Sequence, residues 1–213
     1  MRPESHHRHR FGAALLWLLF LSACTPLQMA PPVNPEWEQR QAVLADIRHW
    51  EFTGSISVRD DQESHSSRIR WRQMEEHYQV NLWGTFNVGA TEIRGEPGLV
   101  SIMQQGEEPL VTETPEQLIR EELGYELPVS QLEYWLRGIP APGRPHDPVF
   151  GENNQLTELH QDGWRIHYLG YSNYGVETLP VRIRMEKAPL RLDLLRLSWS
   201  LDGLKDPCAP LLC

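Results

Sequence analysis

Cysteine is scarce in this chain, three residues in 213, which excludes both a disulfide-dense scaffold and a multi-Cys zinc module. Positive charge is short as well: 20 Lys and Arg stand against 29 Asp and Glu, for a formal net charge of −9. Nucleic-acid binding needs clustered cations that displace counterions, so no nucleic-acid partner is expected. No apolar run reaches the length of a membrane-spanning helix, since the longest, 11–23, is too short and too early. There is no Gly-rich phosphate loop, no Gly-x-Ser-x-Gly elbow and no Cys with a His motif. The acid pairs Asp60-Asp61 and Glu121-Glu122 point to different faces of polar stretches, which suits solvation rather than acid–base work. His49, His65, His77, His146, His160 and His167 show no metal-ligand spacing. The expectation is therefore a protein that is not an enzyme, with no catalytic residue, no metal and no cofactor. What is present is an apolar fraction of 40% with eight Trp, six Tyr and five Phe, which excludes a disordered chain.

The N-terminus reads as an address. Arg2, Arg8 and Arg10 precede an Ala-, Leu-, Trp- and Phe-rich run, and small residues follow, so 1–23 is expected to be a secretory signal peptide. The break Leu21-Ser22-Ala23-Cys24 resembles the bacterial lipobox, in which the signal is cut before the Cys and that Cys is acylated. Cys24 is the candidate lipidation site, and three acyl chains at roughly 0.8 kcal/mol per buried methylene make a practically permanent anchor. Thr25 stands where an inner-membrane retention mark would be Asp, which points to the outer membrane. The segment 24–35 contains Pro26, Pro31, Pro32 and Pro35. It suits a semi-extended tether reaching on the order of 30 Å at about 3.1 Å per residue.

From 36 to 200 the pattern is mostly strand. Trp50, Phe52, Ile56 and Val58 alternate with Glu51, Thr53, Ser55 and Ser57. Further alternating runs carry Ile69 and Trp71, Tyr78 to Leu82, Val100 and Ile102, Trp164 to Tyr168, Val181 to Met185, and Leu190 to Leu194. Asp162-Gly163 is a short hairpin signal. Strands joined by short turns and apolar on one face imply an antiparallel sheet curled around something. Helices are predicted at Glu36–Ile47, after the Thr114-Pro115 start, and at Ser130–Arg137 before Gly138. The fold class expected is mainly β (α+β), with two short helices covering the concave side of the sheet.

Three stretches then resemble a known family. They are Leu132-Glu133-Tyr134-Trp135-Leu136-Arg137-Gly138-Ile139-Pro140, Leu159-His160-Gln161-Asp162-Gly163-Trp164-Arg165-Ile166-His167-Tyr168, and Val88-Gly89-Ala90-Thr91-Glu92-Ile93. In this order on a lipobox-bearing chain they resemble the LolB family, outer-membrane lipoproteins that accept other lipoproteins from the periplasmic carrier LolA. The resemblance implies an incomplete antiparallel β-barrel with short helices forming a lid over an apolar cavity. It implies LolA as partner, the acyl chains of cargo lipoproteins as ligand, the inner leaflet of the outer membrane as destination, and a monomeric state.

The candidate cavity wall is Trp50, Phe52, Ile56, Trp71, Val80, Leu82, Ile102, Leu118, Trp135, Leu136, Trp164, Ile166 and Tyr168. Periodicity fixes a face but not whether the space behind it is filled, so an ordinary packed core stays open as a reading of the same residues. The resemblance also places a membrane-insertion residue on the loop 83–89. Val88 occupies the position where the family carries Leu, Asn87 replaces an expected Pro, and Phe86 is a candidate for added insertion depth. The stripe Arg68, Arg70 and Arg72 suits either the wet face of a strand or steering of an acidic partner. The tail 201–213 departs from the family and includes Cys208 and Cys213, to which no role is assigned. A structural or assembly lipoprotein that binds a protein partner through the half-barrel is the alternative, and a lipid-acting enzyme is the third class.

Overall fold

A computed structural model describes residues 34–84, 90–104, 107–123 and 126–201. The described residues from Pro35 to Leu201 belong to one compact unit. Helix α1, Pro35–Asp46, opens with a proline at its first position and Glu36 and Glu38 in its first turn, which suit the positive end of the helix dipole. Trp37 and Leu44 stand seven residues apart, two turns along one face, and are its buried residues. Trp37 meets Phe150 edge to face at 5.2 Å.

Six strands follow: β1 His49–Arg59, β2 Ser64–Met74, β3 His77–Trp83, β4 Thr91–Glu96, β5 Leu99–Gln104 and β6 Leu110–Thr112. Helices α2, Pro115–Leu123, and α3, Val129–Leu136, come next. Five more strands complete the unit: β7 His146–Phe150, β8 Leu156–Gln161, β9 Trp164–Tyr174, β10 Glu177–Lys187 and β11 Leu190–Ser200. The strands make one 11-stranded sheet in the order β6-β5-β4-β3-β2-β1-β11-β10-β9-β8-β7. Each neighbouring pair is antiparallel. The chain meanders outward from β1 to the edge strand β6, crosses through α2 and α3 to the opposite edge strand β7, and meanders back. The register Glu51↔Ser200 to Arg59↔Arg191 then joins the first strand to the last. The sheet does not close, because β6 and β7 are both edges.

Local chemistry explains the boundaries. The Asp162-Gly163 hairpin has φ of 52° and 78°, the left-handed pair that a type I′ turn requires. Thr114 caps α2, its Oγ1 accepting the Gln117 N–H at 3.3 Å. Helix α3 ends in a Schellman arrangement: Gly138, at φ 80°, donates to the Trp135 carbonyl and Ile139 to that of Tyr134.

One irregularity sets the phase of β11. The register on β1 slips between Thr53 and Ser55, and Arg196 opposite takes φ 55°. Leu190, Leu192 and Leu194 face inward on even numbers, and Leu197 and Trp199 on odd ones. A bulge that adds one residue is what allows that switch. Gly54 makes room for it, since a Cβ there would stand 2.6 Å from Leu197 Cδ2. A register irregularity between Pro180 and Ile183 likewise leaves Val181, expected on the apolar face, only half-buried.

The outward face is wet. Glu51 pairs with Arg72 at 2.9 Å and Arg70 at 3.5 Å, so two members of the arginine stripe are met by one carboxylate across the strand.

Candidate functional site

The buried apolar residues fall into two clusters rather than one. The larger joins β1–β3 and β8–β11 with α1 and α3, and the smaller consists of Val100, Ile102 and Leu118. Between them lies a hollow of about 510 Å³. Its walls come from β1 and β2 (Trp50, Trp71), β3 (Tyr78), β5 (Val100), α2 (Pro115, Glu116) and α3 (Val129, Glu133, Tyr134). The hollow therefore sits under the two helices, against the β1–β5 half of the sheet. Its volume lies in the range of ligand sites, and its lining is mixed, aromatic rings standing beside charged side chains.

Aromatic rings build the floor. Trp50 packs on Phe52, Trp71 and Trp199 at centroid distances of 6.0, 5.9 and 5.4 Å. Trp71 in turn meets Tyr78 at 5.7 Å. Tyr78 stands opposite Gly95 in the β3–β4 register, and its ring occupies the place a Cβ on that glycine would take. Rigid rings of this kind hold a surface open where flexible chains would collapse into it.

Helix α3 is fixed. The Trp135 indole donates to Gln161 Oε1 at 2.7 Å, and Gln161 exchanges bonds with the Ala141 backbone at 2.9 Å each way. The Tyr168 hydroxyl donates to the Trp135 carbonyl at 3.0 Å. Arg137 is 4% exposed, and its guanidinium donates to the carbonyls of Glu133, Leu44, Ala45 and Ile47. A cation at the C-terminal end of α1 satisfies orphan carbonyls and suits the dipole there. Helix α2 is held more lightly, through Leu118 and Ile119 and through Glu116, whose Oε1 accepts the Ser130 N–H at 2.8 Å.

The rim is acidic, with Glu75, Glu76, Glu96, Glu113, Glu116 and Glu133 set against Arg48 and Arg137. Burial pushes the Glu133 carboxyl above its usual range, against the pull of Arg137. Burial also raises the Tyr78 hydroxyl, with Glu116 and Glu133 adding to it. It lowers Arg137, a shift that Glu133 opposes.

The residues singled out from the sequence separate by place. Trp50 and Trp71 line the hollow. Phe52, Val80, Trp135, Leu136, Trp164, Ile166 and Tyr168 are buried in the larger cluster, with Ile56 and Leu82 half-buried against it. Ile102 and Leu118 belong to the smaller cluster. Cys24, Phe86, Val88, Cys208 and Cys213 lie outside the described residues. Tyr78, Val100, Tyr134 and the acidic rim are wall residues that the pattern alone did not single out. For Tyr78 the signal was a bulky ring opposite a strand glycine, Gly95, which marks a site where a side chain lies flat.

The sequence profile described as "Outer membrane lipoprotein LolB" matches residues 48–199. The chain is 36% identical over 194 residues to the outer-membrane lipoprotein LolB of Cellvibrio japonicus, covering 88% of this chain and 95% of that one. To the LolB of Stutzerimonas stutzeri it is 33% identical over 186 residues, covering 85% and 90%. Among solved structures, a LolA superfamily protein from Nitrosomonas europaea superposes with a TM-score of 0.50 at 14% identity, covering 80% of this chain and 96% of that one. A DUF1329 family protein from Desulfovibrio piger superposes with a TM-score of 0.54 at 6% identity, covering 81% and 95%. Those two likenesses share the fold. With the profile spanning every strand that borders the hollow, the chain belongs to the LolB family of outer membrane lipoproteins.

Proposed function

We propose that this outer-membrane lipoprotein takes the acyl chains of other lipoproteins from the periplasmic carrier LolA, shelters them beneath α2 and α3, and releases them into the inner leaflet of the outer membrane. The observation that carries the reading is the hollow of about 510 Å³ beneath α2 and α3, floored by the rings of Trp50, Trp71 and Tyr78. An acyl chain loses roughly 0.8 kcal/mol per methylene on exposure to water, so chains crossing an aqueous space need such a container. Delivery requires only a downhill order of affinities, and about 1.4 kcal/mol per step biases a handover tenfold. A hollow of this size is on the scale that holds one drug-sized ligand, so accommodating several long chains requires a helix to move. The lighter attachment of α2 makes it the moving part.

In the same reading Cys24 carries the lipid that holds the protein at the periplasmic face, the segment 24–35 is its tether, and Phe86 and Val88 touch the bilayer during release. The test mixes LolA loaded with radiolabelled lipoprotein with this chain from residue 24 on, bearing Cys24→Ala. Label should pass to this chain and then to added vesicles. A stable pairing with LolA in which the label never moves would overturn the proposal.

A further inference from the structure

The first turn of α3 has no cap of its own. Its N-cap position is Pro128, whose side chain accepts no bond. The Val129 N–H donates to the Leu127 carbonyl and the Gln131 N–H to that of Pro128. The Ser130 N–H donates instead to Glu116 Oε1 at 2.8 Å, a carboxylate from the first turn of α2. The N-termini of the two helices thus share one side chain, and the positive end of each helix dipole favours an anion there.

This bond crosses the roof of the hollow, because Glu116 and Ser130 both line it. On one side α2 sets Leu118 against Val100 and Ile102 of β5 in the smaller cluster. On the other, α3 sets Leu132, Trp135 and Leu136 in the larger one. Widening the hollow draws the two clusters apart. Among the described residues, the hydrogen bond that joins α2 to α3 against that movement is the one from Ser130 to Glu116. The nearby ion pair Arg120–Glu126, at 3.9 Å with side chains 60% and 80% exposed, adds little.

We propose that Glu116 is the clasp of this roof: its carboxylate holds α2 to the N-terminus of α3 while the hollow is empty, and acyl chains enter once that bond is broken. This rests on the acyl-sheltering reading and deepens it, by naming the positioning residue that sets how often the hollow stands open. An empty chain must break the bond in order to bind, whereas in a loaded chain the roof is already parted. Glu116 therefore governs uptake and leaves release unchanged.

The test uses the chain from residue 24 on with Cys24→Ala, labelled with 15N, and a diacylglyceryl-cysteine peptide as probe. Saturating probe should speed hydrogen exchange at the Ser130 amide at least about fivefold. The Arg137 amide, which donates to the Tyr134 carbonyl within α3, should exchange as before. Glu116→Ala should take up the probe about fivefold faster at an unchanged dissociation rate, since loss of one such bond shifts the open fraction by that factor. Glu116→Gln keeps an acceptor oxygen at the same reach and should return uptake most of the way to that of Glu116. A Ser130 amide that exchanges equally with and without bound probe would overturn the clasp and leave the sheltering reading standing. So would unchanged uptake, weaker binding or faster release by Glu116→Ala, and so would Glu116→Gln behaving as Glu116→Ala does. Failure of the probe to bind the chain carrying Glu116 would overturn the two readings together. The exchange measurement is made with Glu116 in place, so its outcome does not depend on a variant folding.

Discussion

The ring of Tyr78 lies against Gly95 on the neighbouring strand, where an added Cβ would meet ring carbons at 2.1 Å. The pair stands in register across β3 and β4, so the glycine's missing side chain is the space that the tyrosine fills. This contact turns a phenol flat along the sheet and makes it part of the floor of the hollow.

Gly95→Ala must therefore displace Tyr78. The cost expected from overpacking is about 1–3 kcal/mol, read as a lower urea midpoint. Tyr78→Ala placed in the same chain should recover most of the loss that Gly95→Ala adds, because the clash is then gone. Additive losses in that double-mutant cycle would mean that the two residues are not coupled.

Arg137 joins two segments far apart in sequence, donating from the C-terminal end of α3 to the Leu44, Ala45 and Ile47 carbonyls at the end of α1. Arg137→Met keeps the packing bulk and strands those carbonyls, so a loss of about 2–4 kcal/mol is expected. Arg137→Lys should recover only part of it, since one ammonium cannot reproduce the planar fork. Chemical unfolding of the three proteins decides the matter, and equal midpoints would contradict the bond network described here.

Helices α2 and α3 should differ in mobility. The buried Trp135, Leu136 and Arg137 hold α3 and its C-terminal end, whereas α2 depends on Leu118 and Ile119 and on the bond from Ser130 to Glu116. Native-state amide exchange should therefore find α2 opening at least about tenfold more often than α3. Protection that is uniform across both helices would remove α2 as the moving lid.

Two carboxyls should tilt stability in opposite directions with pH. Asp193 is partly desolvated, which raises its pKa, but hydrogen bonds from Arg184 and Arg191 at 2.8 Å outweigh that and hold it below its usual value. Its folded pKa is depressed, so its contribution is present above the unfolded value and is lost as pH falls through the folded one. Glu133 is raised mainly by burial. The folded state then binds its proton more readily than the unfolded state, and the group favours folding as pH falls toward the acid range. Asp193→Asn should weaken the protein at neutral pH and flatten its acid limb. Glu133→Gln should strengthen it at neutral pH. Midpoints measured between about pH 3 and 8 check both signs.

Much of the architecture was readable locally. Alternation of Trp50, Phe52 and Ile56 announced β1, Thr114-Pro115 announced the start of α2, and Asp162-Gly163 announced a hairpin with left-handed turn residues. Each of these depends on neighbours a few residues away, which is why the pattern suffices. The switch in β11 from even to odd inward positions is different. Leu194 and Leu197 are both apolar, and only the bulge opposite Gly54 says which of the residues between them turns outward.

The site was legible as a face but not as a space. Trp50 and Trp135 carry the same chemical signal, yet one lines the hollow and the other is enclosed in the packed cluster with Gln161 as partner. Nothing local to either tryptophan distinguishes them.

By itself, then, the sequence determined the alternation of strands, the two short covering helices, and the family to which the words around Trp135 and Trp164 belong, because propensity, capping and side-chain periodicity act over a few residues. Tertiary structure alone decided that β1 and β11 would be neighbours and that the apolar residues would split into two clusters. It also decided that the gap between those clusters would fall beside Trp50 and Tyr78. Packing is a volume-filling problem over the whole fold, and an empty volume is set by residues that meet only after the chain has folded.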